Sequence, residues 1–139
     1  MNLTRIALAA LGGFVVYFAL GGLVFGLFPL MRNEFMKYPA VYRSQESMKT
    51  VMPAGMAAML IAMVVLATLY AMICRGESSA VDGLRFGALI GLFVVCSFVV
   101  HNHVNLNIGL RLTLQQAVAY FVEWVLTGMV IGLIYRPVR

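Results

Sequence analysis

The chain has 139 residues, 63% of them hydrophobic and 11% charged, with ten Lys and Arg against five Asp and Glu. Its mean hydropathy is +0.95. Soluble domains run at about 45–50% apolar and about 25% charged residues, so this composition excludes a soluble enzyme, a disordered tail and a nucleic-acid-binding domain. It indicates an all-α integral membrane protein. At roughly 20 residues per spanning helix, residues 1–139 are expected to form a single membrane domain, a four-helix bundle with short loops and no room for an appended soluble domain.

The first span is expected over about residues 6–30, apolar except for Tyr17. One Arg precedes it, as in a signal peptide. Its apolar run exceeds the roughly 7–15 residues of a signal h-region, and no small-residue cleavage site follows. It reads as a retained helix whose last turn Pro29 ends or bends. Arg32 to Thr50 is the one sizeable loop, broken at Tyr38-Pro39. The second span covers about residues 51–74, with Pro53 acceptable in a first turn. The connector Arg75-Gly76-Glu77-Ser78-Ser79 is short and polar, and Ser79 with Asp82 has capping-box spacing. Spans three and four are expected over about 84–108 and 112–135, and Arg136-Pro137-Val138-Arg139 stops the last helix.

Small residues recur at a spacing of four. Gly22 and Gly26, Gly87 and Gly91, and Gly128 and Gly132 form Gly-x-x-x-Gly pairs, and Ala54, Ala58 and Ala62 give span 2 the alanine version. Such residues let helices approach closely in lipid, where no hydrophobic force drives them together. The pattern predicts a tight bundle. The basic residues sit at helix ends, where headgroups and topology explain the net charge of +5. Arg5, Arg75, Arg85, Arg136 and Arg139 lie on the side of the termini, and Arg32, Lys37, Arg43, Lys49 and Arg111 on the other. The count is tied, so the charge rule sets no orientation and leaves insertion both ways open; the even number of short spans leans toward both termini in the cytoplasm. Cys74 at the surface and Cys96, roughly 15 Å deeper, are too far apart for a disulfide.

Glu123 falls near the centre of span 4, where a charged side chain costs on the order of 3 kcal/mol and by default marks a functional site. At 100° per residue, Gln116, Tyr120, Glu123 and Thr127 lie within about 60° of one another, with Thr113 at the edge of the stripe. On span 3, Ser97, His101 and Asn105 are four apart. If spans 3 and 4 turn back near residue 110, Ser97 lies level with Glu123, His101 near Tyr120, and Asn105 near Gln116. The expected arrangement is a polar cleft between these spans, opening toward the long loop and ending at Glu123, with His101 relaying protons. The plainer alternative is that Glu123 is a neutral carboxyl bonded to Ser97 or Tyr120 as helix glue, or that it meets another subunit. His103, Asn102 and Asn107 are read as headgroup-level polar residues.

No metal or cofactor is expected. His101 and His103 point about 200° apart on a helix and cannot chelate one ion, and bis-histidine haem needs histidines on two helices. The stripe Met52, Met56, Met59 and Met63, continued by Tyr70, is read as packing. No nucleophile motif, phosphate loop or paired carboxylates appear, so an enzyme is the third choice.

The glycine-rich first span ending in Phe28-Pro29-Leu30, and Arg111-Leu112-Thr113-Leu114 entering a last helix with Tyr120 and Gly128-x-x-x-Gly132, resemble small uncharacterised four-helix bacterial membrane proteins. The resemblance implies a bacterial inner-membrane protein and carries no chemistry. The layout also looks like the small multidrug resistance transporters, although their essential Glu lies in the first helix and Glu123 lies in the fourth. Two functions follow: proton-linked transport or binding of a small solute at Glu123, or a non-catalytic accessory or assembly subunit of a membrane complex. The expected partners are the lipid bilayer and either further copies of this chain or another membrane subunit, with no nucleic acid.

Overall fold

The computed structural model describes residues 2–74 and 78–135. The triplet Arg75-Gly76-Glu77 and the tail from Arg136, on which the expected connector and helix stop fall, lie outside the described residues. Among the described residues the chain forms α1 (Leu3–Gly21), α2 (Pro29–Met36), α3 (Gln45–Ile73), α4 (Ala80–Val94), α5 (His101–Asn105) and α6 (Leu110–Ile134). Two π-helical stretches, Gly22–Leu27 and Val95–Val100, continue α1 and α4. Among the described residues, four helical runs are long and apolar enough to cross a membrane: Leu3–Gly26, Gln45–Ile73, Ala80–Asn105 and Leu110–Ile134.

Local chemistry sets the ends of these helices. The Asn2, Ser44 and Ser79 side chains each accept a backbone N–H of the first turn, from Arg5, Ser47 and Asp82, all at 3.2 Å. Ser79 also donates its hydroxyl to Asp82 Oδ2 at 2.6 Å, so the two residues expected to form a capping box do pair, with the Asp82 carboxylate taking the hydroxyl rather than the Ser79 backbone N–H. Span 1 stops where Phe28 turns extended, and Pro29 opens a new short helix. Proline is preorganised for that first position, since its missing N–H would have no helical partner there.

Two expectations for the long loop need correction. Its first part is helical, as α2, and only the stretch from Lys37 to Ser44 is irregular. Span 2 starts earlier than expected, because Ser44 caps it and Glu46 sits in its first turn, where the helix dipole favours a carboxylate. Pro53 is therefore inside the helix rather than in its first turn. The break expected at Tyr38-Pro39 is present.

The tightest packing joins α4 to α6. A Cβ added at Gly128 would lie 2.5 Å from Gly87 Cα, and one at Gly132 would lie 2.7 Å from Gly83 Cα. At Gly83 and Gly87 it would run into the backbone oxygens of Gly128 and Trp124. Backbones this close are what small-residue spacing permits. The other two small-residue motifs do not pack this way. Gly22 and Gly26 have nothing within 4 Å of an added Cβ, and Ala54, Ala58 and Ala62 are exposed. The π-helical turn containing Gly22 and Gly26 and the outward face of α3's first half account for this. The core of Ile6, Ala9, Ala10, Met63, Leu66, Tyr70, Phe86, Ile131 and Tyr135 fills the end of the bundle nearer the termini. Ser78 ties that end, donating to Gly132 O at 2.6 Å and sharing a hydrogen bond with Tyr70 Oη at 2.7 Å. Cys74 and Cys96 are not disulfide-bonded.

Candidate functional site

The polar stripe of span 4 sits on one uninterrupted α-helix, so its residues share a face. Thr113 and Gln116 are each 5% exposed, Glu123 1% and Thr127 0%; Tyr120 is half-buried. The stripe faces inward, and around Glu123 and Thr127 it meets span 1. An added Cβ at Gly21 would lie 3.8 Å from Glu123 Oε1, and one at Gly13 would lie 3.3 Å from Thr127 Cγ2. The Tyr17 ring packs on Trp124 with centroids 5.2 Å apart. The Tyr17 and Tyr120 phenols both lie within electrostatic range of the Glu123 carboxyl.

Neither Glu123 oxygen has a hydrogen-bond partner among the described residues, and the same holds for Thr127 Oγ1 and Trp124 Nε1. A buried polar group left unpaired costs about 1–3 kcal/mol, and more for a charged one. Helix glue requires the bonds that would recover this loss, and here neither Ser97 nor Tyr120 supplies one. Ser97 is exposed and donates its hydroxyl to Phe93 O of its own helix at 2.6 Å.

The partner expected on span 3 does not form. Ser97, His101 and Asn105 are all exposed, and Val99 and His103 take the inward positions. Two physical reasons apply. The π-helical turns at Val95–Val100 are wider than α-turns, so a face extrapolated at 100° per residue swings outward beyond them. The hairpin also closes earlier than residue 110, with α6 already under way there. His103 Nδ1 then meets Thr113 Oγ1 at 2.9 Å. His103 is therefore a packed partner of span 4 rather than a headgroup-level residue.

Toward the loop side the polar line continues through residues far away in sequence. Gln116 Nε2 donates to Tyr42 Oη over 3.4 Å, and Gly109 N donates to Tyr38 Oη at 2.9 Å. Glu34, only 5% exposed on short α2, accepts from Lys37 Nζ at 2.6 Å and pairs with Arg111 Nε at 3.3 Å. Phe25 and Phe98, one from each π-helical stretch, flank the Tyr120 ring with centroids 6.3 and 6.0 Å away. Single π-turns concentrate at functional sites, and here two of them meet at one tyrosine.

Of the residues expected to form the site, Gln116, Tyr120, Glu123 and Thr127 come together with Thr113, while Ser97, His101 and Asn105 point away. Sequence reasoning missed Tyr17, Gly21, Tyr42 and Glu34. Tyr17 carried a signal, being the lone polar residue of span 1. The others carried none, because their roles depend on how the loop folds back.

These features define a helical membrane bundle with an unpaired carboxyl buried at mid-span beside two tyrosines, at the inner end of a line of polar side chains that runs toward the loop side. The chain belongs to a family described as protein of unknown function (DUF1761), whose sequence model matches residues 8–132, and so takes in most of all four spans. No curated protein and no solved structure matches it.

Proposed function

We propose that this protein carries a small solute across a bacterial inner membrane in exchange for protons, with Glu123 as the group that holds one or the other. The observation that supports this reading is the carboxyl itself, 1% exposed with both oxygens unpaired at the foot of a polar line. A membrane-buried carboxyl without a structural partner is retained against its desolvation penalty, which points to use rather than to packing. The surrounding rings of Tyr17, Tyr120 and Trp124 favour a cationic solute, since aromatic faces attract cations. In this scheme a proton leaves the carboxyl as the cation arrives and returns when it departs. Gln116 and Tyr42 mark the loop-side route, and Thr127 closes the inner end.

Proteoliposomes with an internal pH dye and an imposed proton gradient test the proposal, with tetraethylammonium as the probe cation. Native protein should dissipate the gradient when the probe is added, and E123Q should fall to the rate of empty liposomes. Equal rates for the two proteins would overturn it.

The second reading, an accessory subunit of a membrane complex, is favoured by one feature. The loop-side half of α3 is exposed almost throughout residues 48–62, with Met52, Met56, Ala54 and Ala58 on its surface. A partner helix could pack there. A stoichiometric partner retained through purification would favour that reading, and a protein that purifies alone would favour transport.

A further inference from the structure

We infer that residues 29–44 form a lid over the loop-side end of the polar line, latched to span 4 by the ion pair between Glu34 and Arg111. The inference rests on Glu123 being the group that the line serves. Three polar links leave this segment and all land on the entry to span 4: Glu34 to Arg111, Tyr38 to Gly109 and Tyr42 to Gln116. Beneath them Gln116 is 5% exposed and Glu123 1%, so this conformation is closed to water on that side. Phe35 seals the same edge, its ring 4.6 Å from Tyr42 and 5.5 Å from Phe25.

The segment is bonded to span 4 on one flank and joined to span 1 through a break on the other. It hangs from the π-helical stretch Gly22–Leu27, where Gly22 and Gly26 meet nothing, and then from the extended break at Phe28. Phe25 packs on Tyr120 and Phe35 from this stretch, but its two glycines stand in open space, so this is where a hinge would absorb the motion. The latch itself is weak. The Arg111 side chain is 66% exposed against 6% for Glu34, so water screens the Arg111 end, and a pair screened in this way shifts an equilibrium by about five-fold. A weak tie over a buried carboxyl suits a lid that opens often. Lys37 also pairs with Glu34, but it lies three residues away within the lid and ties it to nothing else.

The test is the rate at which a water-soluble carbodiimide modifies Glu123 in the full-length protein in lipid nanodiscs, followed by peptide mass spectrometry. R111Q and E34Q should each raise the rate by roughly the five-fold that the pair can contribute, while K37Q stays near the native rate. No increase in R111Q and E34Q, or an equal increase in all three, overturns the lid. If E34Q fails to fold, R111Q decides, since Arg111 lies mostly in solvent. The readout does not involve transport. Loss of proton flux in E123Q with no response of the adduct rate removes the lid alone, and the reverse pattern removes the transport reading and leaves the lid.

Discussion

The two ends of this bundle are built on opposite principles. At the end nearer the termini, glycines bring α4 and α6 into backbone contact, and the core is apolar and closed by Tyr70, Phe86 and Tyr135. At the loop end the helices are interrupted by π-turns, Gly22 and Gly26 of span 1 touch nothing, and the interior carries Gln116, Tyr120 and Glu123. The same Gly-x-x-x-Gly spacing occurs at both ends and does different work. In one place it fixes the bundle; in the other it leaves span 1 free to bend. Stability should therefore reside in one half and activity in the other.

The largest effect should come from testing this with a single methyl group. An added Cβ at Gly87 meets the backbone of Trp124 and Val125, which cannot rotate away as a side chain would. G87A should lower the unfolding free energy in mixed micelles by about 3 kcal/mol, the upper part of the overpacking range. G22A adds its methyl to open space and should stay within about 0.5 kcal/mol of native, as surface substitutions do. If both variants behaved alike, the contrast between the ends would be lost.

The next effect has the opposite sign. Replacing the unpaired Glu123 by Leu removes a buried group that makes no hydrogen bond. E123L should stabilise the protein by about 1–3 kcal/mol while abolishing probe-driven proton flux. Trp124, the only tryptophan, abuts Tyr17 at the site, so its fluorescence follows the unfolding locally. A destabilised E123L would mean that the carboxyl is structural, and would move the polar half to the same footing as the glycine half.

The same division separates what could be read from the sequence. Hydropathy and small-residue spacing report on whole helices, so four apolar helices and a tight bundle were legible, but not which of the small-residue motifs would make the close contact. The stripe from Thr113 to Thr127 was legible as well, because α6 runs without interruption and the 100° step holds along it. The partner of that stripe was not. A π-turn has no composition of its own, so the swing that turns Ser97, His101 and Asn105 outward left no trace in the residue pattern. Gly83 escaped notice beside the Gly87 and Gly91 pair, although it extends the same spacing by one turn. Tyr42 and Glu34 belong to a loop whose fold is decided by contacts across more than seventy residues.

Removing one hydrogen bond on the loop side gives a smaller effect. Thr113 Oγ1 bonds His103 Nδ1 at 2.9 Å and also donates to Gly109 O at 3.3 Å. T113V keeps the shape and deletes these bonds, at a cost of about 1 kcal/mol.

The smallest effect separates two histidines two residues apart. His101 is exposed, with no hydrogen bond among the described residues that would be lost, whereas His103 is bonded to Thr113. H101N should therefore leave unfolding unchanged within about 0.5 kcal/mol, and H103A should cost about 1 kcal/mol by leaving Thr113 without its side-chain partner. A double-mutant cycle sharpens the comparison. H103A and T113V touch the same bond, so their effects should add to less than the sum of the two, while H101N and T113V should add in full. Coupling between His101 and Thr113 would place His101 on the inner face, restore the cleft between spans 3 and 4, and undo the swing attributed to the π-helical turns.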